Sequence, residues 1–176
     1  MEFRELLYKR RSYRSFTGGT MTREQLDYIL DAATRAPNAC NMQSWHFTVV
    51  CGRNAIAELC PNVYRGEWIR SAAVVIVVST DREGVESRFG ERGRDLFAIQ
   101  DTACAMTDIL LAATELGFGS CFIGAFDEEA CRKQLGLGER YRPVALAAIG
   151  TIDTEVELRE RKPLSEVVDI IGELSE

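Results

Sequence analysis

"AAVVIVVST", Ala72–Thr80, decides the fold. It is β-branched and apolar throughout, with none of the alternation of a half-solvated strand, so it predicts a strand covered on both faces. Two further runs have this character: "HFTVVCG" (His46–Gly52) and "VALAAIGTI" (Val144–Ile152). "GSCFIGAF" reads as a short strand or strand-like turn. Helical periodicity fills the spaces between. "EFRELLYKR" sets Phe3, Leu6 and Leu7 on one face. "TREQLDYILDAATRA" has a capping box, Thr22 with Gln25, and a stripe of Leu26, Ile29, Leu30 and Ala33, and Pro37 ends it. "DLFAIQDTACAMTDILLAATELG" is the longest helix, with Ile99, Ala103, Met106, Leu110 and Ala113 in register. It carries little charge between Phe97 and Ala113, which predicts burial nearly all round, and Gly117 is its stop. Asp127 caps a short helix ending at Gly136. The charged, glycine-containing stretch from Glu83 to Asp95 predicts a mobile loop. Hairpin signals are few, so helices join most of the strands, and the class is α+β or α/β.

The bulk numbers agree with an ordinary globular chain. The 176 residues fit one domain, 1–176, and 46% hydrophobic with 27% charged residues is a usual balance. A net charge of -6 excludes non-specific nucleic-acid binding, which needs a basic face. The N-terminus is charged from Glu2 and shows no apolar signal region, and the run Ala72–Val78 is far short of the ~20 residues of a membrane span. The expectation is a cytoplasmic protein with no membrane partner. Six cysteines occur without a CxxC pair, and the single histidine, His46, cannot build a histidine metal site, so free thiols and no metal are expected.

The motifs that would name a common chemistry are missing. There is no GxSxG elbow, no GxxxxGK[ST] loop and no HExxH. "GFGSCFIG" holds a GxG pair but follows a helix and leads into a strand, the reverse of a dinucleotide fingerprint. His46 could serve a cysteine as base, but it follows Trp45 and opens a strand, which favours a structural role. Two basic clusters remain. "KRRSYRSF" (Lys9–Phe16) packs four positive charges into six residues and supplies Arg10, Arg11, Ser12 and Arg14. Arg159, Arg161 and Lys162 form the second. Arginine forks bind two oxygens of a phosphate at once, and a serine hydroxyl adds a donor. On composition alone, two solvated charged faces remain open as the alternative. The loop "APNACNMQSW" holds Asn38, Asn41 and Gln43, whose amides could read a heterocycle or simply connect a helix to a strand.

Four stretches, "RRSYRSF", "AATRAPNACNMQSWHFTVV", "AIQDTACAMTDILLAATELGFGSCFIGAFDEE" and "RERKPLSEVV", resemble the nitroreductase family of FMN-dependent oxidoreductases, in the family's order and over almost the whole chain. The resemblance implies an α+β fold, a central mixed β-sheet flanked by helices, and a homodimer with two FMN sites at its interface. It implies that Arg10, Arg11, Ser12, Arg159 and Arg161 converge on the FMN phosphate and ribityl chain. Arg14 would lie near the flavin N1/C2 edge, where its charge favours the reduced anion. Pro37, Asn38, Ala39, Asn41 and Gln43 would come from the partner's loop. Phe122, Ile123, Gly124 and Ala125 would line the other face, with a backbone N–H of Gly124 or Ala125 near N5. NADH or NADPH would reduce the flavin and leave, and a small-molecule acceptor, a nitroaromatic or a quinone, would follow. No side chain needs to act as a nucleophile or base. Relatives of this fold that dehalogenate an aromatic or modify flavin, and a non-catalytic FMN-binding redox protein, are the alternatives. The chain departs from the family at Asn38, where many relatives have a small hydroxyl residue, and at Ser44, where many have proline. Flavin contacts that relatives place near Arg65 and Asp101 find no match, and Glu83–Asp95 is brief where longer relatives carry helices over the active site.

Overall fold

The apolar run at the centre of the sequence is also the centre of the molecule. The computed structural model describes residues 1–173 and 175. Four strands, β1 (Trp45–Cys51), β2 (Val74–Asp81), β3 (Gly119–Ile123) and β4 (Tyr141–Gly150), form one sheet in the order β1-β2-β4-β3. β2 is buried along almost its whole length. Alternate residues serve opposite faces, as the pleat requires. Val74, Ile76 and Val78 pack with Ile29, Met106 and Ile109 on one side. Val75 and Val77 pack with Ile56, Leu59 and Ile69 on the other.

The fold is α+β, but the sheet is not mixed. All three pairings, β1 with β2, β2 with β4 and β4 with β3, are antiparallel. β2 and β3, joined through the longest helix, do run in the same direction, as a helical crossover suggests. β4 inserts between them and opposes both. Among the described residues, the one parallel pairing is an isolated bridge, Ser12 with Ser120.

Among the described residues, six α-helices surround the sheet: α1 (Phe3–Lys9), α2 (Arg23–Thr34), α3 (Arg53–Leu59), α4 (Arg82–Arg92), α5 (Ala98–Glu115) and α6 (Glu128–Gln134). The capping box on α2 forms as expected: Gln25 N–H donates to Thr22 Oγ1 at 3.2 Å, and Thr22 N–H to Gln25 Oε1 at 2.9 Å. Asp127 accepts from Ala130 N–H at 2.9 Å and opens α6. On α5, Ala105, Met106, Ile109 and Ala113 reach the core. Ala103 and Thr107 are exposed and Cys104, Asp108 and Leu111 only half-buried, so one stripe stays uncovered, contrary to burial all round.

The stretch expected to be a mobile loop is helical. α4 anchors on Val85, which is fully buried. A π-helical turn, Gly93–Phe97, then carries the chain into α5. The run Arg82–Glu115 is long and apolar enough to cross a membrane, but half of its most apolar window is buried in the fold, which makes it a core helix. From Asp153 to Glu173 the chain lies exposed, with one short turn at Leu164–Glu166. The acidic and apolar end of this tail at 174 and 176 lies outside the described residues.

Candidate functional site: a cation-lined cavity and a braced loop

α1 stops at Lys9, and Arg10 turns extended. The next residues are pinned to the β3 edge. Tyr13 N–H donates to the Ser120 carbonyl at 2.9 Å, and Thr17 N–H to that of Thr151 at 2.9 Å. Tyr13 and Phe16 are buried pegs. They lie over Gly119 and Gly150, where any Cβ would strike their rings, so glycine is required at both. With the aromatics turned inward, the cations of "KRRSYRSF" are held at the sheet edge.

There they meet the tail. A cavity of about 230 Å³ is lined by Arg10, Arg11, Ser12 and Arg14 from the start of the chain and by Val156, Glu157, Leu158, Arg159 and Arg161 from its end. Among the described residues, none of these arginines makes an ion pair. Seven others, Arg23, Arg35, Arg70, Arg94, Arg132, Arg140 and Arg142, are each matched to a carboxylate. Arg11 donates to the carbonyls of Tyr8 and Arg10, while its Nε is buried without a partner. Cys121 lies behind the cavity: burial pushes its thiol pKa up, and the charges of Arg14 and Arg10 pull it back. Guanidinium groups concentrated around a small hollow, with one carboxylate, Glu157, in the lining and not paired to them, could hold an anion such as phosphate. A larger cavity, about 640 Å³ and lined from Phe16 to Met21, is less suited to this chemistry. Its Arg70 is already held by Glu67 at 2.5 Å, which leaves Arg53 as its one cation unpaired among the described residues.

The amide-rich loop sits elsewhere. Cys40, Asn41 and Gln43 take φ of 49°, 57° and 49°, left-handed values that are costly for residues other than glycine. The strain is held by a buried carboxylate that the sequence reading set aside. Asp101, 4% exposed on α5, accepts from Ala39 N–H at 3.0 Å and from Ser44 Oγ at 2.6 Å. The departure at Ser44 thus has a partner, and proline there could not supply it. Asn38 also works inside the loop: Gln43 N–H donates to its Oδ1 at 2.9 Å, and its Nδ2 donates to the Ala36 carbonyl at 3.2 Å. Only the side chains of Asn41 and Gln43 remain available to a ligand. Pro37 is exposed and Ala39 half-buried.

The remaining candidates divide by face. Ile123 is in the core, so only its backbone could meet a ligand. Phe122, Gly124 and Ala125 are exposed. A Cβ on Gly124 would meet nothing but the Phe122 ring, at 3.6 Å, so the space over it is open. His46 stacks on Tyr141 with centroids 4.2 Å apart, the structural role its position suggested. All six cysteines are free.

The model of the nitroreductase family matches residues 7–64 and 61–151 of this chain. The chain is 30% identical to YodC of Bacillus subtilis, which carries an NAD(P)H nitroreductase name, over 93% of this chain and 96% of that protein. A solved nitroreductase family protein from Clostridium novyi superposes with a TM-score of 0.79, at 30% identity, covering 87% of this chain and 86% of that one. The chain belongs to the nitroreductase family. An FMN-dependent nitroreductase from Clostridium difficile aligns with a TM-score of 0.76 and 28% identity over 88% of this chain and 90% of that one. Within this nitroreductase chain, the structure unites the first and last basic clusters but keeps the loop apart. The basic cavity adjoins β3, and the loop leads into β1 at the opposite edge of the sheet. Three strand spacings, ~14 Å, separate them. Sequence reasoning set Asp101 aside, gave Ser44 only as a departure from the family, and read α4 as a loop. The signal for Asp101 was a lone carboxylate inside an apolar helical stripe.

Proposed function

We propose that this nitroreductase chain is an NAD(P)H-dependent FMN oxidoreductase, one domain that works as a cytoplasmic homodimer and passes electrons to nitroaromatic or quinone-type acceptors. The observation that carries the reading is the cavity of unpaired arginines. Among the described residues, its orphaned Arg11 Nε and the unengaged forks of Arg10 and Arg159 fit a terminal phosphate dianion, and Arg161, whose Nη1 donates to the carbonyls of Arg159 and Glu160, keeps its other donors for it. Its volume of about 230 Å³ is below the ~300–1,000 Å³ of a complete small-molecule site, which suits the phosphate end with the ring lying outside. Ser12 donates beside that end, and Arg14 places a positive charge at the edge of the ring. Bound FMN supplies hydride exchange with nicotinamide at N5. The chain's own part is to orient the ring between Phe122–Ala125 and a loop bearing Asn41 and Gln43, and to exclude water there.

A second copy supplies that loop in this reading, because one chain holds the loop at the far edge of its sheet. Three uncovered apolar features are available for the partner. They are the α5 stripe around Cys104 and Leu111, the face of α1 bearing Phe3, Leu7 and Tyr8, and a tail with Leu164, Val167 and Ile170 exposed. Rapid anaerobic mixing of the FMN-loaded protein with NADH and with NADPH tests the proposal. Loss of the oxidised flavin spectrum, followed by its return on adding a quinone, is expected. A flavin that binds tightly and is reduced by neither nicotinamide would overturn it.

A further inference from the structure

α4 begins where Asp81 N–H donates to the Ser44 carbonyl at 3.0 Å, so it is tied to the end of the Asn41–Gln43 loop. It stays against that loop: Arg88 Nη1 lies 3.9 Å from Met42 Sδ. Its second half is built from conformations that few residues tolerate. Gly90 takes φ 60°, ψ −150°, a region open in practice to glycine alone. Gly93 has no room for a Cβ against the Val85 carbonyl and opens the π-helical turn. Such turns recur at functional sites. The effect here is to bring Phe89 and Phe97 edge to face, with centroids 5.3 Å apart. The Arg88 guanidinium lies 5.4 Å from the Phe89 ring centre, and that of Arg92 lies 5.5 Å from the Phe97 ring centre.

Both rings are half-buried and both arginines are exposed. Among the described residues, neither arginine makes an ion pair. The neighbouring Arg94 is matched to Glu86 and Asp95, and Arg140 to Asp81 and Glu83. Glu91, between the two in sequence, pairs with neither. On a chain of net charge -6, two unmatched cations on one aromatic shelf favour an anion that the rest of the surface repels. We propose that Met42, Arg88, Phe89, Arg92 and Phe97 form a docking ledge that selects planar aromatic acceptors carrying an anionic group, a carboxylate or sulfonate. The rings and the thioether take the aromatic face, and the guanidinium forks take the anion. This rests on the Asn41–Gln43 loop lying at a flavin, which sets the ledge beside the reacting ring.

The test compares 4-nitrobenzoate with its neutral methyl ester as acceptors for the FMN-loaded enzyme and for Arg88→Gln, Arg92→Gln and the double variant. FMN content and melting temperature are matched first. The acid-to-ester ratio of kcat/KM is expected to fall about fivefold in the double variant, ~1 kcal/mol at ~1.4 kcal/mol per tenfold. Salt at about 0.5 M should compress the wild-type ratio and leave that of the double variant nearly flat. An unchanged ratio, with the ester still reduced, overturns the ledge, as does an effect confined to the KM for NADPH. If the wild type reduces neither compound, nitroaromatics are not its acceptors, and the oxidoreductase reading stands or falls on the quinone test. The ledge is then read from the perturbation of the bound flavin spectrum by 4-nitrobenzoate, where equal affinities in wild type and double variant overturn it.

Discussion

Asp101 shows how much one side chain can organise. It fastens a left-handed loop through two short hydrogen bonds while buried at 4% exposure. Hydrogen bonds to charged groups contribute roughly 1.5–3 kcal/mol each, so Asp101→Ala should lower stability by about 3 kcal/mol in urea unfolding of the flavin-free protein. Asp101→Asn, whose Oδ1 can still accept from Ala39 N–H while its Nδ2 donates to Ser44 Oγ, should lose less than half of that. Equal losses would mean that the charge, not the bonding, holds the loop. In the proposed site the arginines act on a ligand instead. Arg161→Ala should weaken FMN about tenfold and riboflavin hardly at all, since only FMN carries the phosphate. Arg14→Ala should weaken both together, because its charge sits at the ring edge. Fluorescence titration of both flavins into both variants reads this directly, and equal losses for FMN and riboflavin in Arg161→Ala would remove Arg161 from the phosphate. The basic clusters were legible because an unusual density of charge is visible in any short window. The Asp101–Ser44 pair was not, because the two residues lie 57 positions apart and neither by itself points to the other.

At the scale of elements, apolar runs and capped helices were readable, and the uncapped polar helix α4 was not. β2, α2 and α5 carry their burial in their own periodicity. α4 has one buried residue, Val85, among charges and two glycines, so nothing local separates it from a loop. It is fixed by contacts with distant residues, Met42 among them. Its two glycines should behave oppositely. Gly84 has helical geometry, and a Cβ there would meet only the Met42 methyl at 3.4 Å, so Gly84→Ala should stabilise by about 0.4–1 kcal/mol. Gly90 has a conformation that alanine resists, so Gly90→Ala should destabilise by ~1–3 kcal/mol and separate Phe89 from Phe97. Thermal unfolding decides the signs, and the same sign for both would contradict the kink. Thiol reactivity maps the layers of the fold in the same way. Burial pushes the Cys131 thiol up to about 11, which leaves on the order of one thiolate in a thousand at pH 8. Exposed Cys40 and Cys51 should alkylate first, and Cys131 only on unfolding, as peptide mapping would show.

At the scale of the whole molecule, the strand order was the part the sequence could not supply. Periodicity marks a strand but says nothing of its neighbour, so the insertion of β4 between β2 and β3 was invisible. That order matters for function, because it puts the basic cavity and the amide loop at opposite edges of the sheet. If a symmetric dimer completes each site from two chains, each chain gives a cavity to one site and a loop to the other. Complementation follows from this. Arg10→Ala/Arg161→Ala has ruined cavities and sound loops, and Asn41→Ala/Gln43→Ala the reverse. Each pure variant should bind FMN poorly. When the two are mixed and allowed to exchange subunits, half of the dimers become hybrids. Every hybrid has one site with both defects and one site with neither. Tight FMN binding should therefore return to about one quarter of the wild-type sites, with nicotinamide oxidation recovering in parallel. A site contained in a single chain predicts no recovery at any mixing ratio. Light scattering must show dimers throughout and mass spectrometry must show the hybrid. With the hybrid present and no site restored, the cavity and the loop would not share a flavin, and the long separation across the sheet would need another purpose.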